Sequence, residues 1–350
     1  MSGSPLPVDS LGMWEATAGL PEQMAAAAAA AAAAVALGDL DLPSPVADVT
    51  VLGMGGSGIA GDVLAAVAGP ELAVPVAVVK GYRLPAFVGR RSLVFAVSCS
   101  GDTEETVAAA SAARAAGATV VTVAGGGELA RTARAERAPL IPLAGEVPQP
   151  RAALGSLAVP PMVVLDRIGL WPGAAGRVAA AVDQLSRRRD ELVAPGSLAE
   201  VVARRIGRTI PLVHGSPGPA AVAAQRWKTQ VNENAKSPAF WSVQPELCHN
   251  EVVGWGQGGD VTRQLLTVVL LRHPGEHPRV ASRFAMVAEL LEEVVAGVVE
   301  VWSEGTCDIA RLFDLALVGD FVSLHLAGAE GVDPGPVPVL GELKERLRSV

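Results

Sequence analysis

Short runs of apolar, β-branched residues alternate with longer stretches of helical spacing along most of the chain. In the first half these runs predict five strands, separated by stretches that predict helices. The strands are expected at residues 49–52, 74–79, 93–98, 119–123 and 139–143, and the helices at 60–68, 103–116 and 128–137. Strands that alternate with helices are typical of a parallel sheet with crossover helices, so the pattern predicts an α/β fold.

A second series of the same kind follows a charged, helical connector at about residues 176–192. It begins with a strand at 209–214 and a helix from Pro219, and a further strand is expected at 265–272. The segments VLGMGGSG (51–58) and LVHGSPG (212–218) both read as a strand, a glycine-bearing turn and a helix, which indicates a weak internal repeat. We therefore predict two similar three-layer α/β/α domains with mainly parallel sheets. Residues 1–165 form the first and 197–350 the second, with 166–196 as the connector.

The composition of the 350 residues narrows the possible partners and the compartment. The net charge is −8 and no basic stripe is interleaved with aromatic residues, so a nucleic-acid partner is not expected. The chain has three cysteines, an odd number, and none of them forms a CxxC pair; they are Cys99, Cys248 and Cys307. This argues against a disulfide framework or a structural zinc site. A reducing, cytoplasmic location fits this cysteine usage.

A run of ten alanines at residues 25–34 resembles neither a signal peptide nor a membrane span. Glu22 and Gln23 precede it where a signal peptide would carry basic residues. The run is also shorter than the ~20 apolar residues that cross a bilayer. Because alanine has the highest helix propensity, we expect a surface helix and no membrane partner.

The glycine-rich segment GMGGSG at residues 53–58 follows a strand and opens a helix. Free N–H groups at such a helix start attract anions, so Gly55, Gly56 and Ser57 are candidate phosphate ligands. The segment lacks the GK[ST] ending of a P-loop, and residues 78–80 read Val-Val-Lys where a dinucleotide site would carry an acid. A tight turn that binds nothing is the alternative.

A second loop, SCSGDTEET at residues 98–106, follows a buried strand. The hydroxyls of Ser98, Ser100 and Thr103, together with N–H groups of the next helix, would form a charge-neutral phosphate nest. The alternative is an ordinary capping box with Asp102 or Thr103 as the N-cap. Capping leaves the two serines unexplained, so the nest is favoured.

At these two loops the chain resembles SIS (sugar isomerase) domain proteins, whose signature is Ser-x-Ser-Gly-x-Thr. It is more closely similar to the bifunctional phosphoglucose/phosphomannose isomerase family, through residues 53–61, 98–106, 227–236 and 245–255 and from about Gly12 to Lys344 overall. The resemblance implies two SIS domains and a hexose 6-phosphate substrate. It also implies interconversion of glucose 6-phosphate and/or mannose 6-phosphate with fructose 6-phosphate through an enediol(ate), without metal or cofactor.

The chemistry requires a base that moves a proton between C1 and C2, and a carboxylate in an enclosed site suits that task. Glu233, late in a helix, is a candidate, although it could merely solvate the helix or pair with Lys236. The resemblance makes Glu233 the base and assigns ring opening to His249, donated by the other subunit of a homodimer. It also matches Lys344 to an active-site lysine and Arg151 to a cation that stabilises the enediolate.

Two departures from the family pattern favour a rival function, a non-catalytic sugar-phosphate-binding regulatory protein. Cys99 stands in the place of a tyrosine and Asp102 in the place of an asparagine. A carboxylate beside a phosphate repels it unless it points away to cap a helix. Retention of all four catalytic candidates argues against a sensor. Metal binding is not expected, because Pro274 and Gly275 interrupt the helix that would align His273 with His277.

Overall fold

The computed structural model describes residues 5–37, 45–143 and 145–347, and these contain two β-sheets. The strands of the first sheet are β1 (Asp48–Leu52), β2 (Val76–Val79), β3 (Ser92–Ser98), β4 (Thr119–Ala124) and β5 (Leu140–Pro142). Those of the second are β6 (Ile210–Gly215), β7 (Phe240–Val243), β8 (Leu266–Arg272) and β9 (Gly297–Trp302). The spatial orders are β2-β1-β3-β4-β5 and β7-β6-β8-β9, and every pair is parallel.

Helices cover both sheets and connect them. The first half contains α1 (Met13–Ala18), α2 (Leu20–Leu37), α3 (Gly55–Ala68), α4 (Glu104–Ala115), α5 (Gly127–Ala135) and α6 (Leu154–Arg167). The remainder contains α7 (Ala174–Leu192), α8 (Leu198–Ile206), α9 (Pro219–Asn234), α10 (Gly259–Leu265), α11 (Pro278–Leu291), α12 (Asp308–Ala329) and α13 (Pro338–Leu347). Short 3-10 helices lie at Pro150–Ala152, Glu246–His249 and Glu251–Gly254. The predicted strands and helices are confirmed, with boundaries that differ by a few residues.

Alternate side chains of the central strands point into different layers. Along β3, Leu93 and Phe95 join the cluster beneath α3 and α6, whereas Val94 and Ala96 join the cluster beneath α4 and α5. All seven residues of β3 are buried, as expected for a parallel strand covered on both faces. The predicted α/β class with parallel sheets is therefore confirmed.

The internal repeat is visible in the topology. Strands β2-β1-β3-β4 of the first sheet have the same order as β7-β6-β8-β9 of the second. Strand β1 leads through a glycine-bearing turn into α3, and β6 leads through a similar turn into α9. The proposed domain boundaries near residues 165 and 197 stay a prediction.

One apolar cluster runs through both halves. It contains side chains of β1 and β3, of β6 and β8, and of the buried helices α6, α9 and α12. Among the described residues, α12 is the one helix long and apolar enough to cross a membrane, but 83% of its most apolar window is buried inside the protein. This helix therefore behaves as the core helix of the cluster.

The alanine run does form a helix, but the expectation of a plain surface helix was wrong for one of its sides. Met24, Ala27 and Ala31 of α2 are buried, and α2 packs against α6 and α7. Gly155 at the start of α6 touches Met24, so small residues on both helices allow a close approach.

A tight contact between α12 and α9 yields a stability prediction. A Cβ added at Gly319 would overlap the indole ring of the fully buried Trp227, which donates a hydrogen bond to the Leu315 carbonyl. Gly319→Ala should therefore lower the free energy of unfolding by about 1–3 kcal/mol through overpacking, despite alanine's better helix propensity. The matched control is Gly176→Ala in α7, where a Cβ meets nothing within 4 Å and should stabilise by up to about 1 kcal/mol. Urea denaturation of both variants measures the difference, and a stabilising Gly319→Ala would contradict this packing.

Candidate active site

Two loops of the first half meet where the strand order of the sheet reverses. Strand β1 has β2 on one side and β3 on the other, and the loops that follow β1 and β3 both lie at the carboxyl edge of the sheet. Open α/β sheets bind ligands at such a switch point. The two phosphate loops predicted from sequence are therefore brought together.

The first loop exposes backbone at the start of α3. That helix begins at Gly55, whose φ of 51° is left-handed, and Met54 before it provides no side-chain cap. The N–H groups of Gly55 and Gly56 are thus available to an anion, whereas that of Ser57 donates to the Met54 carbonyl. Ser57 is buried, and its hydroxyl accepts a hydrogen bond of 3.0 Å from the Cys99 N–H, which joins the first loop to the second.

The second loop is organised around Ser98, which is fully buried. Its Oγ accepts a hydrogen bond of 3.0 Å from the Gly101 N–H and lies 3.1 Å from the Thr103 hydroxyl. Thr103 occupies the N-cap position of α4 but makes no side-chain cap bond, so the alternative of an ordinary capping box is not formed. Ser100 is exposed at the tip of the loop. The buried Ser98 hydroxyl thus stabilises the loop through hydrogen bonds, whereas Ser100 and Thr103 reach the surface.

Asp102 points away from the hydroxyls of Ser98, Ser100 and Thr103. Its Oδ1 accepts a hydrogen bond of 2.8 Å from the Glu128 N–H, in the first turn of α5. The helix capped is thus α5 and not α4, the helix that follows Asp102 in sequence. A carboxylate at a helix N-terminus is stabilised by the helix dipole. Burial raises the pKa of the neighbouring Cys99 thiol, which favours its neutral form.

Glu233 lies in the last turn of α9, with its side chain 32% exposed. Arg151, in the 3-10 helix Pro150–Ala152, is only 3% exposed and contacts Glu233 Oε2 through Nη1 at 3.4 Å. Its Nε donates to Asn234 Oδ1 at 2.7 Å, and its Nη2 donates to the carbonyls of Pro334 and Gly335 at 2.5 and 2.7 Å. Burial lowers the pKa of the Arg151 guanidinium, and the charge of Glu233 opposes that shift. One cation thus joins the first half, α9 and the segment before α13.

A buried network holds Arg151 in place from behind. Arg226 donates to both carboxylate oxygens of Asp320, at 2.9 and 2.6 Å, and to the Arg151 carbonyl at 2.9 Å. Asn234 donates to Ser323 Oγ at 2.9 Å, and that hydroxyl donates to the Asp320 carbonyl at 2.6 Å. Hydrogen bonds therefore form a closed ring from Arg151 through α9 and α12 and back to Arg151.

Direct backbone contact joins the phosphate loops to this ring. A Cβ added at Gly56 would lie 3.1 Å from the carbonyl carbon of Pro150 and 3.2 Å from the Cα of Arg151. The N-terminus of α3 therefore abuts the residue whose guanidinium contacts Glu233. The two predicted phosphate loops and the Glu233 carboxylate therefore lie on neighbouring elements.

His249 and Lys344 are not drawn into this site within one chain. His249 ends the 3-10 helix Glu246–His249, is exposed, and makes no side-chain hydrogen bond or ion pair with any described residue. Lys344 is exposed on α13, a helix without buried residues. Neither has a hydrogen bond or ion pair to Glu233 among the described residues.

Sequence reasoning missed the residues behind Arg151, although two patterns mark them. Arg226, Gln230 and Asn234 follow one another at i, i+4 and i+8 along α9, a polar stripe on a largely buried helix. Asp320 and Ser323 interrupt the apolar run of α12. Polar residues inside such elements are rarely left unpaired, which indicates partners elsewhere in the chain.

The described residues contain no cluster of three or more histidine, cysteine, aspartate or glutamate side chains suited to a metal. His273 and His277 lie in the loop before α11, where His277 Nδ1 accepts a hydrogen bond from the Arg279 N–H and caps that helix.

Comparison with known proteins gives matches that cover nearly the whole chain. Residues 196–347 match the family model described as the bacterial phospho-glucose isomerase C-terminal SIS domain. The chain is 34% identical to a bifunctional phosphoglucose/phosphomannose isomerase of Caldicellulosiruptor bescii, over 97% of this chain and 99% of that protein. It is 34% identical to the protein of the same name from Aquifex aeolicus, over 87% and 92%. The crystal structure of a glucose-6-phosphate isomerase-like protein from Thermus thermophilus covers 90% of this chain and 93% of its own, with a TM-score of 0.58 and 22% identity.

Proposed function

The chain belongs to the bifunctional phosphoglucose/phosphomannose isomerase family, and on that premise we propose that it interconverts glucose 6-phosphate and/or mannose 6-phosphate with fructose 6-phosphate. The observation that carries the proposal is the contact between the glycine loop and Arg151. Through it an anion-binding helix start and a carboxylate held by a guanidinium become parts of one site. This is the arrangement that an isomerase of phosphorylated sugars requires.

In this proposal the substrate phosphate binds the two loops of the first half. The N–H groups of Gly55 and Gly56 and the hydroxyls of Ser100 and Thr103 donate to it, while Ser57 and Ser98 keep the loops in shape from inside. All of these donors are neutral, so the dianion is held by dipoles and hydrogen bonds. Because Asp102 caps α5, its charge is directed away from the nest.

Glu233 then takes the proton from C2 of the open-chain aldose and returns it to C1, with the reverse direction for the ketose. The C–H bonding electrons move into the C1–C2 bond as the C1 carbonyl becomes an enediolate oxygen. Transfer of the O2 hydroxyl proton to O1 then lets the C2 carbonyl form as C1 is protonated, so no redox partner is needed. Arg151 uses four of its five N–H donors on Asn234, Glu233, Pro334 and Gly335. The remaining Nη1–H and the positive charge are left to stabilise the oxyanion.

Ring opening falls to His249, supplied by the partner subunit of a homodimer. Its exposure, and the exposure of Val253 (81%) and Trp241 (38%) in neighbouring segments, support a surface that a second copy covers. Lys344 would approach the same site from α13. Neither metal nor cofactor takes part in this scheme, and the free cysteines Cys99, Cys248 and Cys307 suit a cytoplasmic enzyme.

The sugar-phosphate sensor and a dinucleotide-binding function both receive less support. A sugar-phosphate sensor was favoured by Asp102, which caps α5 and leaves the nest free of its charge. Such a sensor would have no use for a buried arginine aligned on Glu233. A dinucleotide-dependent oxidoreductase needs an acid after β2, where Lys80 stands and pairs with Asp62.

The first test is a coupled assay on fructose 6-phosphate that measures both aldose products. Glu233→Gln should abolish turnover and leave substrate affinity nearly intact, because it keeps size and hydrogen bonding but removes basicity. The matched control is Glu136→Gln, an exposed glutamate paired with Arg114, which should retain the parental rate. EDTA should not change the rate. An active Glu233→Gln enzyme would remove Glu233 as the base, and loss of activity on chelation would contradict metal-free chemistry.

The phosphate loops are tested by the Michaelis constant. Ser100→Ala combined with Thr103→Ala should raise KM for fructose 6-phosphate, since each hydrogen bond to a charged group contributes roughly 1.5–3 kcal/mol. Asp102→Asn is the control within the same loop, because the amide oxygen can still accept the Glu128 N–H, and its KM should be unchanged. Equal KM values for the parent and the double variant would show that the Ser100 and Thr103 hydroxyls do not bind the phosphate and that the loop is only a structural turn.

Donation of His249 across a dimer is tested by mixing chains of an inactive variant with chains of an impaired one. His249→Ala should leave a slow residual rate, because sugars also open spontaneously in water. Heterodimers of Glu233→Gln and His249→Ala chains should recover about half the parental rate per dimer, since one of the two sites then holds both native residues. Mixed dimers of verified composition that stay inactive would place both residues in one subunit's site.

A further inference from the structure

Two cations converge on one carbonyl group at the edge of the site. The Pro334 carbonyl accepts hydrogen bonds from Arg151 Nη2 at 2.5 Å and from Lys236 Nζ at 3.1 Å. Lys236 Nζ also donates to the Glu233 carbonyl, one residue from the end of α9. Pro334 and Gly335 are buried, so these bonds replace the water that the carbonyls would otherwise bind.

The backbone at Lys236 is held in a conformation that lysine rarely adopts. Its φ is 55°, in the left-handed region, and it follows Ala235, the C-cap of α9. Glycine or asparagine usually occupies this position after a helix. A lysine here therefore requires a compensating interaction of its side chain, and the two carbonyl bonds are that interaction.

The surrounding charges show how constrained the ammonium is. Burial lowers the pKa of Lys236, and the neighbouring charge of Arg151 lowers it further, while Asp333 and Glu233 oppose the shift. The chain has 28 lysine and arginine residues, and only four of them are lysines: Lys80, Lys228, Lys236 and Lys344. A compact ammonium fits between two carbonyls where a planar guanidinium would need more room.

The Pro334 and Gly335 carbonyls lie in the segment just before α13. Helix α13 begins at Pro338, three residues after Gly335, and carries Lys344. None of its described side chains is buried, so its own packing within the chain does little to fix its position. The segment before α13 is held instead by hydrogen bonds from Arg151 and Lys236 to its carbonyls. The Asp333 carboxylate also accepts the Gly335 N–H at 3.0 Å.

We propose that Lys236 is a positioning residue. Its ammonium ties the Pro334 carbonyl to the end of α9, beside Glu233, and so fixes the start of α13, from which Lys344 approaches the site in the function proposed above. The catalytic part of this inference rests on the isomerase function proposed above. The structural part, that the Lys236 ammonium restrains residues 336–347, stands independently of any activity.

The test removes the ammonium without straining the backbone. Lys236→Gly keeps the left-handed conformation, Lys236→Arg keeps a cation, and Arg137→Gly makes the same backbone change at the other non-glycine residue with φ of 55° among those described. Amide hydrogen exchange of residues 336–347 and the steady-state rate on fructose 6-phosphate are measured for all three. Circular dichroism and a urea transition confirm that each variant is folded.

Lys236→Gly should accelerate exchange in 336–347 by about tenfold or more. It should also lower kcat by about tenfold or more, with KM nearly unchanged because the phosphate loops are elsewhere. Lys236→Arg should recover part of both losses, and Arg137→Gly should match the parent. If Lys236→Gly matches the parent in exchange, or in turnover by an active parent, the positioning role is overturned. An inactive parent with accelerated exchange in Lys236→Gly would instead refute the isomerase function and support the restraint.

Discussion

Burial of the Arg226–Asp320 ion pair constrains the geometry of the whole site. Burial raises the pKa of Asp320, and the charge and hydrogen bonds of Arg226 oppose that shift. A buried pair of this kind is worth little compared with apolar packing, but removing one partner leaves an uncompensated charge and costs about 3–5 kcal/mol. Gln230 also donates to Asp320 Oδ1 at 2.9 Å, so both carboxylate oxygens of Asp320 accept hydrogen bonds. Its importance lies in the third bond of Arg226, which fixes the Arg151 backbone.

Arg151 makes contacts on two sides from that backbone position. Towards solvent, the Arg151 side chain aligns Glu233 and binds the segment that leads to α13. Towards the first sheet, the Arg151 Cα meets the glycine loop at Gly56. The two halves of the chain have similar topologies but carry different polar groups: the hydroxyl-bearing loop after β3 lies in the first half and Glu233 in the second. Helices α9 and α12 join them through polar bonds embedded in an apolar cluster.

The elements that sequence can predict are those specified by local pattern. The apolar run of β3 and the turn residues after it are sufficient to place a buried strand and the loop that follows it. The same kind of pattern places Glu233 late in its helix. Pairing over long distances in sequence has no such pattern: Arg226 and Asp320 are 94 residues apart, and Asp102 caps a helix 26 residues away. Arg151 is identified by resemblance alone, because nothing in its neighbourhood distinguishes it from the other arginines.

The contact between Gly56 and Arg151 has a consequence for substrate size. It joins backbone to backbone, so no rotamer change can lengthen or shorten it. The interval between the predicted phosphate loops and the Arg151 backbone is therefore fixed, and the Arg151 guanidinium holds the Glu233 carboxylate beside it. For the proposed chemistry, a sugar phosphate is selected by the number of carbons between its phosphate and its carbonyl. In that scheme, four- and five-carbon sugar phosphates bound at the same loops would leave their reacting carbons short of Glu233.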